Sequence, residues 1–292
     1  MIKFPSLSHN FLLQSATISA IVVAATLVIG KAFAYSLTNS LSIKASLIDS
    51  LLDGGISLVN FFAVRHAIQP PDEDHRFGHG KVEALAGLLQ SLFIAGSAIW
   101  LLKEVIGQVS ASEEITFHST ALVVMFGAIF LTFLLVLWQN YVIAQTQSLA
   151  ISADSLHYKT DLFTNIGVLL SFYIAHTFKF FYIDWFVAAL IAVYIFKTSY
   201  EIAKTSFDIL MDKELSADIV AQIRAIAWEN PYVKGVHDLR TRSSGKHNFI
   251  QMHLDLDGSL TLFDAHVVAE EIEQNIIAVF PDSDVIIHQD PI

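Results

Sequence analysis

The chain has no cysteine among its 292 residues. That absence excludes disulfides, thiolate zinc sites, iron–sulfur ligation and thiol catalysis. Charge is scarce too. Asp, Glu, Lys and Arg make up 15% of the residues, against about 25% in an ordinary soluble domain. Basic residues are the scarcer kind, with 17 Lys and Arg against 28 Asp and Glu and a net charge of −11. A nucleic-acid binder needs a basic face to neutralise phosphates, so no nucleic-acid partner is expected. Apolar residues are plentiful, at 54% of the chain, and there are 12 histidines. The mean hydropathy is +0.54.

This average conceals a split after Asp208. Residues 1–208 hold 11 basic and 14 acidic residues, and residues 209–292 hold 6 and 14. The first part is long, apolar and sparsely charged; the second reads as a soluble acidic domain. A helical membrane span needs about 20 mostly apolar residues. Six such stretches are predicted, over 13–36, 44–66, 82–106, 118–140, 149–177 and 182–204. A cleaved secretory signal is not expected, because the first stretch is long and a second follows closely. An even number of spans puts both termini on one side of the bilayer. Arg65, Arg76 and Lys81 lie at or beyond the end of the second span, whereas Glu113 and Glu114 follow the third. The positive-inside rule then sets both termini in the cytoplasm. Residues 141–148, between spans four and five, contain no basic residue and add nothing to this signal.

The tail has an α-β-β-α-β pattern. Ser216 is a candidate cap for a helix running to about Glu229. Val236–Arg242 and Phe249–Leu256 read as strands around a turn at Ser243–Gly245. Leu262–Phe280 has apolar residues at helical spacing, and Asp284–His288 reads as a last strand. The expected fold class is therefore a six-helix membrane protein with a C-terminal α+β domain, one face of its sheet covered by helices.

Carboxylates stand where lipid should be. Asp49 and Asp53 lie four residues apart in the second span, and His157 and Asp161 repeat that spacing in the fifth. An i,i+4 pair shares one helix face, with Cβ atoms about 5–6 Å apart. Insertion scales put a charge at the bilayer centre at about 2.5–3.5 kcal/mol or more, so such pairs need a cation, a proton or a watery cavity. Packed together, the two spans bring three carboxylates and one imidazole to a point. That donor set suits four-coordinate Zn²⁺, with oxygen and nitrogen ligands about 2 Å away. The imidazole favours zinc, cadmium or ferrous iron over the harder Mg²⁺ and Mn²⁺. A single intramembrane Asp could instead pair with Lys31 or Lys44; two such pairs on separate spans are harder to explain that way.

At these residues the sequence resembles the cation diffusion facilitators, and within them the bacterial ferrous-iron and zinc efflux branch. The Asp-x-x-x-Asp and His-x-x-x-Asp pairs carry the likeness. So do Pro70-Pro-Asp-Glu-Asp-His-Arg-Phe-Gly-His-Gly-Lys-Val-Glu83 and the ending Val285-Ile-Ile-His-Gln-Asp-Pro291. The resemblance covers nearly the whole chain. It implies a homodimeric proton antiporter of the bacterial inner membrane that exports divalent metal. Asp49, Asp53, His157 and Asp161 would be the transport site, Zn²⁺ the substrate and H⁺ the coupling ion.

The resemblance also implies a loop metal site of Asp72, His75 and His79, regulatory or structural in role. A cytoplasmic binuclear site would use His237, His253, His266, His288 and Asp290, with Asp290 able to bridge two ions. His247, in a Gly-Lys turn, matches no family ligand and is expected at the surface. Lys81 and Asp212 match positions that form a charge link in the family and are candidates for dimer support. Metal on the paired tails would tighten the dimer when cytoplasmic zinc is high. Two other function classes are open to the sequence. One is an intramembrane metalloenzyme, weakened by the lack of His-Glu-x-x-His and of an open ligand position. The other is a membrane-anchored zinc sensor, weakened by ligands placed inside the spans.

Overall fold

A computed structural model describes residues 8–38, 41–107, 119–178 and 183–292 of the chain. Glu113 and Glu114, on which the charge asymmetry of the loops partly rests, lie outside the described residues. Six long helices come first: α1 (His9–Thr38), α2 (Leu41–Ala67), α3 (Lys81–Gly107), α4 (Ser119–Thr146), α5 (Leu149–Phe178) and α6 (Ile183–Leu210). Five of them, all but α5, have described stretches long and apolar enough to cross a membrane. In α5 the described side chains are those of residues 149–167, and Asp154, Lys159 and Asp161 interrupt the apolar run there. Most of the helices extend a few residues past the stretches read from hydropathy. Hydropathy marks the hydrocarbon depth, whereas the helix continues into the polar interface.

Hydroxyl groups inside these helices bond to carbonyls one turn back. Thr26 donates to Val22 O at 2.7 Å, Thr160 to Leu156 O at 2.8 Å and Thr146 to Val142 O at 2.8 Å. In lipid each polar group must find its partner within the protein. Helix α1 packs on α2 and α4, α4 on α5, and α2 on α5. Tyr158 ties three of them together. Its hydroxyl donates to Ala20 O of α1 at 3.4 Å and lies 2.8 Å from Ser57 Oγ of α2. Helices α3 and α6 join α5 through Ile94, Ala98, Leu156 and Ile195.

The chain divides into two compact units. One comprises the chain up to Ile68 with Val82–Ser206; the other comprises Gln69–Lys81 with Phe207–Ile292. The loop after α2 thus groups with the tail. The tail has the expected element order: α7 (Ala217–Trp228), β1 (Val233–Ser244), β2 (His247–Leu256), α8 (Leu262–Val279) and β3 (Ser283–Pro291). Ser216 occupies the cap position of α7 but makes no side-chain cap bond. Thr261 does cap α8, accepting from the Asp264 amide at 3.2 Å. The sheet order is β1-β2-β3, antiparallel between β1 and β2 and parallel between β2 and β3. Helix α8 makes the crossover that a parallel pair requires.

Strand β2 alternates strictly. Ile250, Met252, Leu254 and Leu256 are buried against Ile223 and Ala227 of α7 and Val268, Ile272 and Ile276 of α8. The period of two sends Gln251, His253 and Asp255 to the opposite face. Both helices therefore cover one face of the sheet, and the other face carries the polar side chains of interest.

Candidate metal centres

In the helical unit, α2 presents Ser46, Asp49, Ser50, Asp53, Ser57 and Asn60 at three- and four-residue spacing, a polar stripe along one face. The contact between α2 and α5 sets this stripe against His157 and Asp161. His157 Nε2 lies 2.9 Å from Asp53 Oδ1 and 3.9 Å from Asp161 Oδ2. Ligand atoms of Asp53, His157 and Asp161 fall within 4.8 Å of one another. Asp49 stands outside that trio, one turn along α2. It lines the same cavity of about 300 Å³ as Asp53, Asp161, Lys31, Thr132 and Asn165. The structure thus gathers three of the four sequence-predicted residues and leaves the fourth at the edge of their cavity. Among the described residues, Lys31 bonds to Ser50 Oγ and Ser46 O and not to a carboxylate.

Sequence reasoning passed over Asp154, one turn before His157. It is fully buried and accepts from Gln139 Nε2 of α4 at 2.7 Å and Gln90 Nε2 of α3 at 3.5 Å. The signal was present in the sequence: a second carboxylate in the fifth span beside Asp161, with Gln90 and Gln139 inside the apolar stretches of two neighbouring spans.

The second cluster is Asp72, His75 and His79 in the loop after α2. Asp72 Oδ1 accepts from the backbone amides of His75 at 2.6 Å and Asp74 at 3.0 Å, closing a tight turn. Its other oxygen lies 3.2 Å from His79 Nε2, and the two imidazoles stand 4.7 Å apart. The His75 amide, followed by the nearby His79, holds the Asp72 carboxyl below the usual carboxylate range. The loop is clamped from the tail side. Phe77 meets Phe249 edge-on at 5.3 Å, and the Arg242 guanidinium sits 4.8 Å from Phe77 and 4.9 Å from Phe249. A Cβ on Gly80 would collide with the Ser244 carbonyl, so only glycine permits this approach. Lys81 Nζ lies 2.8 Å from Asp212 Oδ1, with Arg242 on the same oxygen at 3.3 Å. Lys81 and Asp212 are thus brought together, with Arg242 as a second cation on the same carboxylate.

The third cluster lies on the open face of the tail sheet. Strand register pairs His237 with His253 and His253 with His288, a row of imidazoles across three strands. Two residues further along, Asp255 pairs with Asp290. Asp290 sits among the imidazoles, 2.8 Å from His253 Nδ1, 3.3 Å from His237 Nε2 and 3.3 Å from His288 Nε2. Hydrogen bonding from His253, helped by the neighbouring histidines, holds its carboxyl below the usual range. Two residues missed in the sequence join this cluster. Asp255 Oδ1 is 3.2 Å from His237 Nε2, and Asp238 groups with His237 and His253. Strand pairing alone reveals Asp255, because its own alternation makes it an ordinary exposed strand residue.

His266 is not in the cluster of its own chain. It lies on α8, which covers the opposite face of the sheet, and its nearest acidic partner is Glu270 at 4.0 Å. His247 opens β2 as an exposed residue, as expected. The donors of the tail cluster fall in groups of three, imidazoles with carboxylates, whose ligand atoms lie within 4.8 Å of one another, and these donor types fit a borderline ion such as zinc.

Comparison with known proteins gives a consistent result. Residues 17–211 match the family profile of the cation efflux transmembrane domain, and residues 215–292 match that of the cation efflux protein cytoplasmic domain. The cation-efflux pump FieF of Shewanella oneidensis is 43% identical over 284 residues, covering 97% of this chain and 96% of that protein. FieF of Escherichia fergusonii is 42% identical over 288 residues, covering 97% and 94%. Among solved structures, the metal-bound C-terminal domain of the CzcD transporter from Thermotoga maritima is 32% identical, covering 25% of this chain and 87% of that one, with a TM-score of 0.25.

Proposed function

The chain belongs to the cation diffusion facilitator family of cation-efflux transporters, and on that premise we propose that it exports Zn²⁺ from the cytoplasm in exchange for protons. Cd²⁺ and Fe²⁺ are the next candidate substrates. The observation that carries this reading is the convergence of Asp53, His157 and Asp161 from two apolar helices beside a cavity that also holds Asp49. Metal binding requires neutral imidazole and ionised carboxylate, so the ion and protons compete for the same atoms. Entry of Zn²⁺ on one side releases protons; reprotonation on the other side expels the ion. The helices around the site would tilt to open it alternately to each side.

In this reading the chain lies in a bacterial cytoplasmic membrane with both termini inside, and two copies associate through their tails. The tail cluster of His237, His253, His288 and Asp290 holds metal as a resident ion and tightens that dimer. His266, facing away from the cluster of its own chain, is a candidate ligand only across such a dimer. The loop cluster of Asp72, His75 and His79 is regulatory, its position governed by the tail hairpin that clamps it.

The test is zinc uptake into proteoliposomes containing the purified chain. Uptake should follow an imposed pH gradient and disappear in Asp53→Ala. Uptake indifferent to the gradient overturns the antiport, and uptake retained in Asp53→Ala overturns the site.

A further inference from the structure

The polar stripe of α2 is met by a cation from α1. Lys31 Nζ donates to Ser50 Oγ at 2.6 Å and to Ser46 O at 3.1 Å, both neutral oxygens. Ser46 and Ser50 alternate with Asp49 and Asp53 on one helix face. Lys31, Ser46, Ser50, Asp49, Asp53 and Asp161 line one cavity. The ammonium therefore shares the space of three carboxylates while its hydrogen bonds are spent on α2 serines. Ionisable residues inside membrane helices are expensive and mark ion pathways.

Resting on the reading of Asp49, Asp53, His157 and Asp161 as the transport site, we infer that Lys31 is a specificity-determining residue of that site. It is a tethered positive charge that offsets one of the three cavity carboxylates. Three carboxylates and one ammonium leave two negative charges, the complement of one divalent ion. The loaded cavity is then neutral, the state an apolar surrounding tolerates best. Because Ser50 and Ser46 hold the ammonium, it repels the incoming ion without occupying the ligands, which keeps binding weak enough for release. Without that charge, the cavity keeps a surplus negative charge and retains the ion.

Zinc uptake kinetics in proteoliposomes of the full chain test this, with Asp53→Ala as control. Lys31→Met preserves the stem and removes the charge. KM for zinc should fall about tenfold or more, since an ion–ion repulsion in a low-dielectric cavity is lost, and the maximal rate should fall with slower release. Lys31→Arg should bring KM back toward the wild-type value. Ser50→Ala should act in the opposite direction: the ammonium keeps its charge, loses its tether, turns to the carboxylates and raises KM. A packing role alone would move KM the same way in both variants, and that result overturns the inference. So does an unchanged KM in Lys31→Met beside an inactive Asp53→Ala, which leaves the transport site standing. If Lys31→Met fails to fold, Ser50→Ala decides: a raised KM supports the inference, and an unchanged or lowered one overturns it. Uptake retained in Asp53→Ala removes the transport-site reading and this inference with it.

Discussion

His157 Nε2 stands 2.9 Å from Asp53 Oδ1 across the contact between α5 and α2. This pair brings the one nitrogen donor of the proposed transport site against an oxygen donor from another helix. The imidazole is what separates this donor set from an all-carboxylate one, which would suit harder ions. His157→Asp should therefore shift transport away from zinc and toward Mn²⁺. The ratio of zinc to manganese uptake, measured in the same proteoliposomes, is expected to fall about tenfold, equal to about 1.4 kcal/mol of discrimination. An unchanged ratio would show that the imidazole does not set the preference.

Asp154 is a polar node among helices α3, α4 and α5. Its carboxylate is fully buried and receives Gln139 Nε2 at 2.7 Å. Removing the acceptor strands a buried amide donor, which costs about 1–3 kcal/mol. Asp154→Ala should lower thermal stability in detergent by that amount, with a further loss from the small cavity left behind. Asp154→Asn keeps an acceptor oxygen in place and should cost less. Equal melting temperatures for the two variants would count against the hydrogen bond as the stabilising element.

Much of this was legible in the sequence, for identifiable reasons. Long apolar runs need no tertiary information to be read as helices, and the i,i+4 pairs of α2 and α5 declare a shared face. The α-β-β-α-β order of the tail followed from period-2 and period-3.6 patterning. What escaped were relationships created by packing. Asp255 enters the tail cluster through its register opposite Asp290. Residues 69–81 join the tail because Gly80 lets the loop lie against Ser244 and because Phe77 packs under Arg242 and edge-on to Phe249. Those contacts link residues more than 160 positions apart, which no local pattern encodes. Lys31 was readable only as a possible counter-charge for Asp49; its hydrogen bonds to Ser50 and Ser46 arise from the packing of α1 on α2.

In the tail, His253 belongs to two donor groups, one with His237 and Asp238 and one with His288 and Asp290. His237 and His288 sit on the strands either side of it. Loss of His253 should weaken both groups, whereas loss of His288 should weaken a single group. Zinc retained by the full-length protein after gel filtration, measured by elemental analysis, should fall further in His253→Ala than in His288→Ala. Equal losses would indicate that the donors act as one site.

The Asp212 carboxylate carries a pH signature. Hydrogen bonding from Lys81, with Arg242 beside it, holds its carboxyl below the usual range in the folded chain. The unfolded chain, with an Asp near the ordinary value of about 3.9, therefore takes up its proton first as pH falls. The linkage sign follows: Asp212 adds stability that is fully present above about pH 4 to 5 and is lost as pH drops through the unfolded and then the folded value. The side chain is 42% exposed, so the contribution is that of a screened pair, about 0.5–1 kcal/mol. Asn is the informative replacement, because residue 212 has φ 55°, a left-handed conformation that Asn adopts more readily than most residues. Asp212→Asn should lower the melting temperature by about 1–3 °C at pH 7. The gap from wild type should close as the pH approaches 3, where the wild-type carboxylate is losing its charge as well. A gap that stays constant down to pH 3 would mean that the variant acts through the turn and not through the charge link to Lys81 and Arg242.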